Sequence, residues 1–142
     1  MKNLIEAVTK VTKEVGNIEK NLTVGSGNFG YKGVADKDVK KAIGDAMTKN
    51  GLAIFTIKIE PTVRIDRWEE NKRQKQSVFT EVLTTYKLYH KSGESIELMG
   101  YGQGVDSQDK SAGKATTYAL KYALLYQFMV VTGTIEATCK KS

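Results

Sequence analysis

The stretch Gly100 to Gly133, GYGQGVDSQDKSAGKATTYALKYALLYQFMVVTG, narrows the possible folds most, because a glycine-rich turn, a helix cap, a long helix and its exit follow one another without a break. Gly100, Gly102 and Gly104 read as a flexible lead-in where the backbone can come close to a partner. Asp106 or Ser107 then caps a helix that carries Asp109 and Lys110 in its first turns. Its apolar run lasts to about Met129, and Gly133 is the expected stop.

At about 100° per residue, Ala112, Ala115, Ala119, Tyr122, Ala123 and Tyr126 fall on one side of this helix, the pattern of a face packed on a core. Its small residues suit close approach to a sheet. Lys110, Lys114, Thr117 and Lys121 fall within an arc of about 60° on another side and make one stripe along the axis. No acid shares the stripe, whereas an ordinary solvated face mixes Glu with Lys at i,i+4. The stripe therefore reads as a candidate polyanion surface, with simple solvation as the alternative.

Length and composition bound the rest. A chain of 142 residues with 40% apolar content is expected to be one domain with one hydrophobic core. No run of about 18 apolar residues is present, and MKNLIEAVTKVTKEV is charged throughout, so neither a membrane span nor a secretory signal is expected. The expected location is the cytoplasm. A single cysteine, Cys139, rules out an internal disulfide and a cysteine-based metal cluster within one chain. Net charge +6 favours a polyanionic partner, and the cations gather at Lys37 to Lys41, Arg64 to Lys75 and Lys110 to Lys121.

Taken in order, Asn3 to about Lys20 has apolar residues at three- and four-residue spacing and predicts an amphipathic helix, a candidate subunit contact. Asn21 to Gly30 reads as a loop. Phe29, Tyr31 and Lys32 form either a base-stacking platform beside a phosphate contact or a short strand that buries an aromatic ring. Asp36 is the expected cap of a second helix to about Lys49, with Val39, Ala42, Ile43, Ala46 and Met47 inward, and Asn50-Gly51 stops it.

Leu52 to Glu60 is a strand, and Pro61 suits a sheet edge or bulge. Thr62 to Trp68 continues it, Glu69 to Gln76 is expected as a charged loop, and Ser77 to His90 returns. This extended hairpin places Arg64, Arg67, Lys72, Arg73 and Lys75 near its tip, as a basic arm for a nucleic-acid groove or a disordered loop. Lys91 to Glu94 turns the chain into a third strand, Ser95 to Tyr101. The fold class is α+β: an antiparallel three-stranded meander with two N-terminal helices and a long C-terminal helix packed on the sheet.

The run GQGVDSQDKSAGKATTYALKYALLYQF resembles the C-terminal core signature of the essential recombination function (ERF) family of phage single-strand annealing proteins, with its pattern GxGxDxxDKxxxKAxTYAxKYALL. Upstream, FGYKGVADKDVKKAIGDAMTKNGL from Phe29 to Leu52 resembles a second block of that family. The resemblance implies a β-β-β-α core like that of the eukaryotic Rad-type annealers. It also implies ATP-independent binding and annealing of single-stranded DNA in a bacterial host cell, by a homo-oligomeric ring or filament working with a phage exonuclease and a single-strand-binding protein. Relatives continue into a variable tail, and here TIEATCKKS lacks the acidic run common after the signature.

On this reading Lys110, Lys114 and Lys121 contact phosphates and Thr117 hydrogen-bonds a phosphate or sugar. The backbone amides at Gly102, Gly104 and Ser107 and the helix N-terminus add anion contacts. Tyr31, Lys32 and the hairpin cations complete the expected surface, with no catalytic residue, cofactor or metal. A dinucleotide site is not supported, because Ser107 stands where a third glycine is needed. A Walker loop fails at Gln108 and at Ala115 after Lys114. His90 reads as an exposed turn residue, and Asp106 with Asp109 as helix caps before a magnesium site. The alternative from another class is a structural oligomerisation or adaptor module whose lysines are only surface.

Overall fold

The structure is a computed structural model, and it describes residues 1–18, 22–24, 31–33, 35–108 and 110–132. In chain order the elements are α1 (Lys2–Val15), β1 (Asn17–Ile18), β2 (Leu22–Val24), β3 (Tyr31–Gly33), α2 (Asp36–Lys49), β4 (Leu52–Glu70), β5 (Arg73–His90), β6 (Ser95–Asp106), α3 (Ser111–Gln127) and β7 (Val131–Thr132). The expected α+β class is present, with a three-stranded antiparallel sheet in the order β4-β5-β6 and α3 packed on it. The chain divides into two compact units. The first takes in Met1–Ala53, Tyr89–Glu94 and the chain from Leu124, and the second takes in Ile54–Leu88 and Ser95–Ala123.

In the first unit α1 and α2 pack on each other. Leu4, Ala7 and Val11 are buried on α1, and Val39, Ile43, Ala46 and Met47 on α2, the three- and four-residue spacing that the sequence predicts. The helix expected to run to Lys20 stops at Val15, because Gly16 turns left-handed (φ 64°) and the chain enters β1, which pairs in parallel with β7. Asp36 is not the cap of α2. Ala35 holds that position, and Asp36, inside the first turn, pairs instead with Lys40 at 2.9 Å. At the other end Asn50 and a left-handed Gly51 (φ 72°) stop the helix as expected.

The second unit is built on the hairpin. Glu69 to Gln76, expected as a loop, is strand on both sides of a two-residue turn in which Asn71 and Lys72 take φ of 55° and 65°. Those dihedrals define the type I′ turn, whose twist matches the strands it joins. Asn at the first position tolerates the left-handed region, but Lys at the second does so at a cost, so glycine was not there to announce the turn. Pro61 lies inside β4, an edge strand, where a residue without an N–H is tolerated.

Thr80, Val82, Thr84, Tyr86 and Leu88 alternate inward along β5, and α3 covers this side of the sheet. The contact is close because of glycine. A Cβ on Gly104, Gly102 or Gly100 would come within 2.2, 2.0 and 2.6 Å of the carbonyl oxygens of Ser111, Ala115 and Ala119. Two strand residues advance about 6.8 Å. Four helix residues advance about 6 Å, so the Gly-x-Gly-x-Gly repeat stays in step with one backbone ridge of the helix. The expected flexible lead-in is therefore corrected: the three glycines are β6, buried under α3. Val82, Ala115 and Ala119 form the core between the layers.

Candidate nucleic-acid interface

The head of α3 is organised by Asp106. Its Oδ2 accepts from the backbone N–H of Lys110 at 3.1 Å and of Gln108 at 3.3 Å, which satisfies amides at the start of the helix. Those bonds, the Lys110 amide foremost, hold the carboxyl below the usual aspartate range, and Lys114 adds to the effect. The ammonium of Lys114 is 3.6 Å from Oδ1 of Asp106 and 3.2 Å from the carbonyl of Val105. The sequence reading of a stripe without an acid is thus corrected, since its counter-charge comes from the end of β6. Asp109, the other acid considered there, lies outside the described residues.

A second correction concerns Lys121, which is only 4% exposed. Its ammonium stands 4.6 Å from the Tyr118 ring centroid and 4.8 Å from that of Tyr122, a cation–π arrangement between two rings that themselves stack. The helix side that carries exposed Lys110 and Lys114 is buried from Lys121 onward, where Leu124, Leu125 and Phe128 are also buried. Thr117 is half-buried between these regimes. On the expected core face Ala115, Ala119 and Ala123 are buried, but Ala112 and Tyr122 are exposed and Tyr126 is 70% exposed. The helix stops at Gln127, with Met129 left-handed (φ 52°) and Val130 N–H bonded to the Leu125 carbonyl at 2.9 Å, the geometry of a helix C-terminal cap without glycine.

Of the backbone sites expected to meet phosphate, Gly102 and Gly104 are buried on β6 and Ser107 is exposed. Gly102 and Gly104 face the helix backbone, and the carbonyl of Ser107 accepts a bond from Gln76 Nε2 at 2.8 Å, which ties β5 to the end of β6. At the first turn of α3, Ser111 Oγ and Thr80 Oγ1 lie 2.8 Å apart and both residues are buried.

The hairpin cations are all exposed. Arg64 is spent locally, 3.4 Å from Asp66 with its guanidinium 5.2 Å from the Phe79 ring centroid. Arg67, Lys72, Arg73, Lys75 and Lys110 have no ion pair among the described residues. Trp68, on β4 next to Arg67 in the chain, is 45% exposed. Tyr31 and Lys32 lie on β3 in the first unit, opposite Val24 and Thr23, and Phe29 lies outside the described residues.

Two features escaped the sequence reading. On the sheet face away from α3, the Tyr101 hydroxyl donates to Glu81 and accepts from Gln103 Nε2 at 2.7 Å, and the Glu81 bond raises the tyrosine pKa. On β4 the alternate residues Phe55, Ile57, Ile59, Val63 and Ile65 are 46 to 56% exposed. Arg64 reaches Phe79, and Thr80 beside it faces α3, so alternation puts the odd residues of β4 on the helix side of the sheet. That alternation was readable in LAIFTIKIE; that α3 would leave the row uncovered was not.

Among the described residues no helix is long and apolar enough to cross a membrane, and no group of three metal-ligating side chains converges. A family model described as the ERF superfamily matches residues 4–137, nearly the whole chain. No curated protein matches it.

Proposed function

The chain belongs to the ERF superfamily, and on that premise we propose that it binds single-stranded DNA and anneals complementary strands without nucleotide hydrolysis, as a homo-oligomer. The observation that supports a DNA surface on the second unit is the set of exposed cations Arg67, Lys72, Arg73 and Lys75 near the hairpin tip, without an ion pair among the described residues, in a hairpin that also carries exposed Trp68. Cations free of acids lose little when they exchange water for phosphate. Each contact releases counterions, which drives binding and makes it salt-dependent. An indole in the same hairpin supplies a stacking surface that accepts any base.

Lys110 adds a cation at the head of α3. Lys114 joins only by leaving Asp106, and Lys121 holds the helix rather than the strand. Duplex formation is itself downhill, so a protein that screens phosphate repulsion and leaves bases accessible needs no ATP.

Self-association has its own support in the apolar row on β4. Five large exposed side chains on one strand face exceed the scattered exposure normal for a monomer and support a protein contact there. Pro61 in the same strand disfavours a continuous added ladder, so the contact is through side chains. The same row favours the second reading, an oligomerisation module without annealing activity. Fluorescence anisotropy of a labelled single strand across a salt series separates the two. Saturable binding that weakens with salt supports the first, and absence of binding at low salt leaves the second.

A further inference from the structure

The first unit contains a polar cavity of about 180 Å³ that the annealing reading does not use. It is lined by Asn3, Glu6, Ala7 and Lys10 of α1, Lys49 and Asn50 at the end of α2, and His90 and Lys91 at the end of β5. Three lysines against one glutamate make its lining cationic. Lys10 and Lys91 have no ion pair among the described residues. The one acid that approaches Lys49, Glu14 at 3.6 Å, is also held by Asn50 Nδ2 at 3.1 Å.

His90 is held in place by its own turn. Its Nδ1 lies 2.9 Å from the Ser92 hydroxyl, which itself donates to Glu94 at 2.7 Å, and 3.1 Å from the Ser92 backbone N–H. Lys91 is positioned rather than loose. Its stem lies over Gly51, where a Cβ would come 2.8 Å from Cδ, and its N–H bonds to the Gly51 carbonyl at 2.9 Å. The first turn of α1 contributes Asn3.

We propose that this cavity binds a phosphate group through Lys10, Lys91 and His90. Ammonium groups and an imidazole ring around a small polar space match the charge and the several acceptor oxygens of phosphate. The group could come from a nucleic-acid strand or from free phosphate, and the chemistry is shared.

His90 is the only histidine, so its ring resonances in NMR report this cavity alone. The full chain is titrated at fixed pH and ionic strength, in one arm with inorganic phosphate and in the other with a 5′-phosphorylated single-stranded tetranucleotide. A saturable ring shift is expected, weakened at least about tenfold in Lys10→Ala/Lys91→Gln, which removes two charges and keeps the stem over Gly51. The arm that saturates at lower concentration names the source. A ring unmoved in both arms, or moved equally in a variant whose melting temperature is unchanged, overturns the site. If the double variant unfolds, His90→Phe read by calorimetry with the same two probes decides, with undiminished affinity overturning the proposal. Neither result touches the hairpin, so this site and the annealing surface stand or fall separately.

Discussion

The Lys114 ammonium lies 3.6 Å from the same Asp106 carboxylate that accepts the Lys110 backbone N–H, so one acid both starts α3 and neutralises the first cation within it. A phosphate approaching the head of the helix meets a position already occupied by a carboxylate. Asp106 therefore limits binding there.

Asp106→Asn keeps an oxygen that can accept from the amides and removes the charge. We expect tighter single-strand binding at low salt, by a few-fold, with the salt slope raised toward one further phosphate, about 0.7 in log–log units. Anisotropy titrations at several salt concentrations measure both. Unchanged affinity and slope would remove the head of α3 from the surface.

Gly102 and Gly113 should respond to alanine with opposite signs. At Gly102 a Cβ meets the Ala115 carbonyl oxygen at 2.0 Å, a backbone atom that moves only with the helix, so Gly102→Ala should cost about 1–3 kcal/mol or more. At Gly113, inside α3, nothing lies within 4 Å of the added carbon. Gly113→Ala should stabilise by about 0.5–1 kcal/mol through helix propensity. Urea denaturation of the two variants gives both values.

Lys121→Glu should behave as a stability mutation. It places a carboxylate against the Tyr118 and Tyr122 rings at a site 4% exposed, and it removes a cation–π contact worth up to about 2 kcal/mol when desolvated. Lys110→Glu, at an exposed position, should leave the melting temperature within about a degree and weaken DNA binding. Thermal melts beside anisotropy separate the two roles, and equal melting temperatures for both variants would contradict the burial of Lys121.

Acid should weaken the fold through Glu94. Its bond to the Met1 ammonium, supported by the Ser92 hydroxyl at 2.7 Å, lowers its pKa from 4.5 to about 2. A carboxylate depressed in the folded state contributes stability above its unfolded pKa, and that contribution is lost as pH falls from about 4.5 through 2. Asp106, also depressed, acts in the same direction. Melting temperature followed from pH 6 to 3 should fall less steeply in Glu94→Gln than in the wild type.

How much of this was readable depends on whether a local pattern or a tertiary contact decided it. The Ala115, Ala119 and Ala123 stripe, the α2 core and the three-strand order follow from periodicity and turn residues, and the structure has them. Gly100, Gly102 and Gly104 were misread because glycine signals either freedom or close approach, and only the position of α3 tells which. The hairpin tip looked like a loop because Asn71-Lys72 lacks the usual glycine of its turn type. Lys121 was misplaced because a helical wheel assigns one exposure to a whole face, whereas this face is exposed at Lys114 and buried two turns later. The counter-charge of Lys114 came from another element, which no spacing within α3 could announce.

The most direct measurement is ATP-free annealing of two complementary labelled oligonucleotides across a salt series, comparing the wild type with Arg67→Ala/Lys72→Ala/Arg73→Ala/Lys75→Ala. The account predicts acceleration that fades with salt, and a variant that anneals slowly with a salt slope smaller by about 0.7 for each phosphate it no longer neutralises. Annealing by a folded variant that equals the wild type at every salt concentration would contradict it.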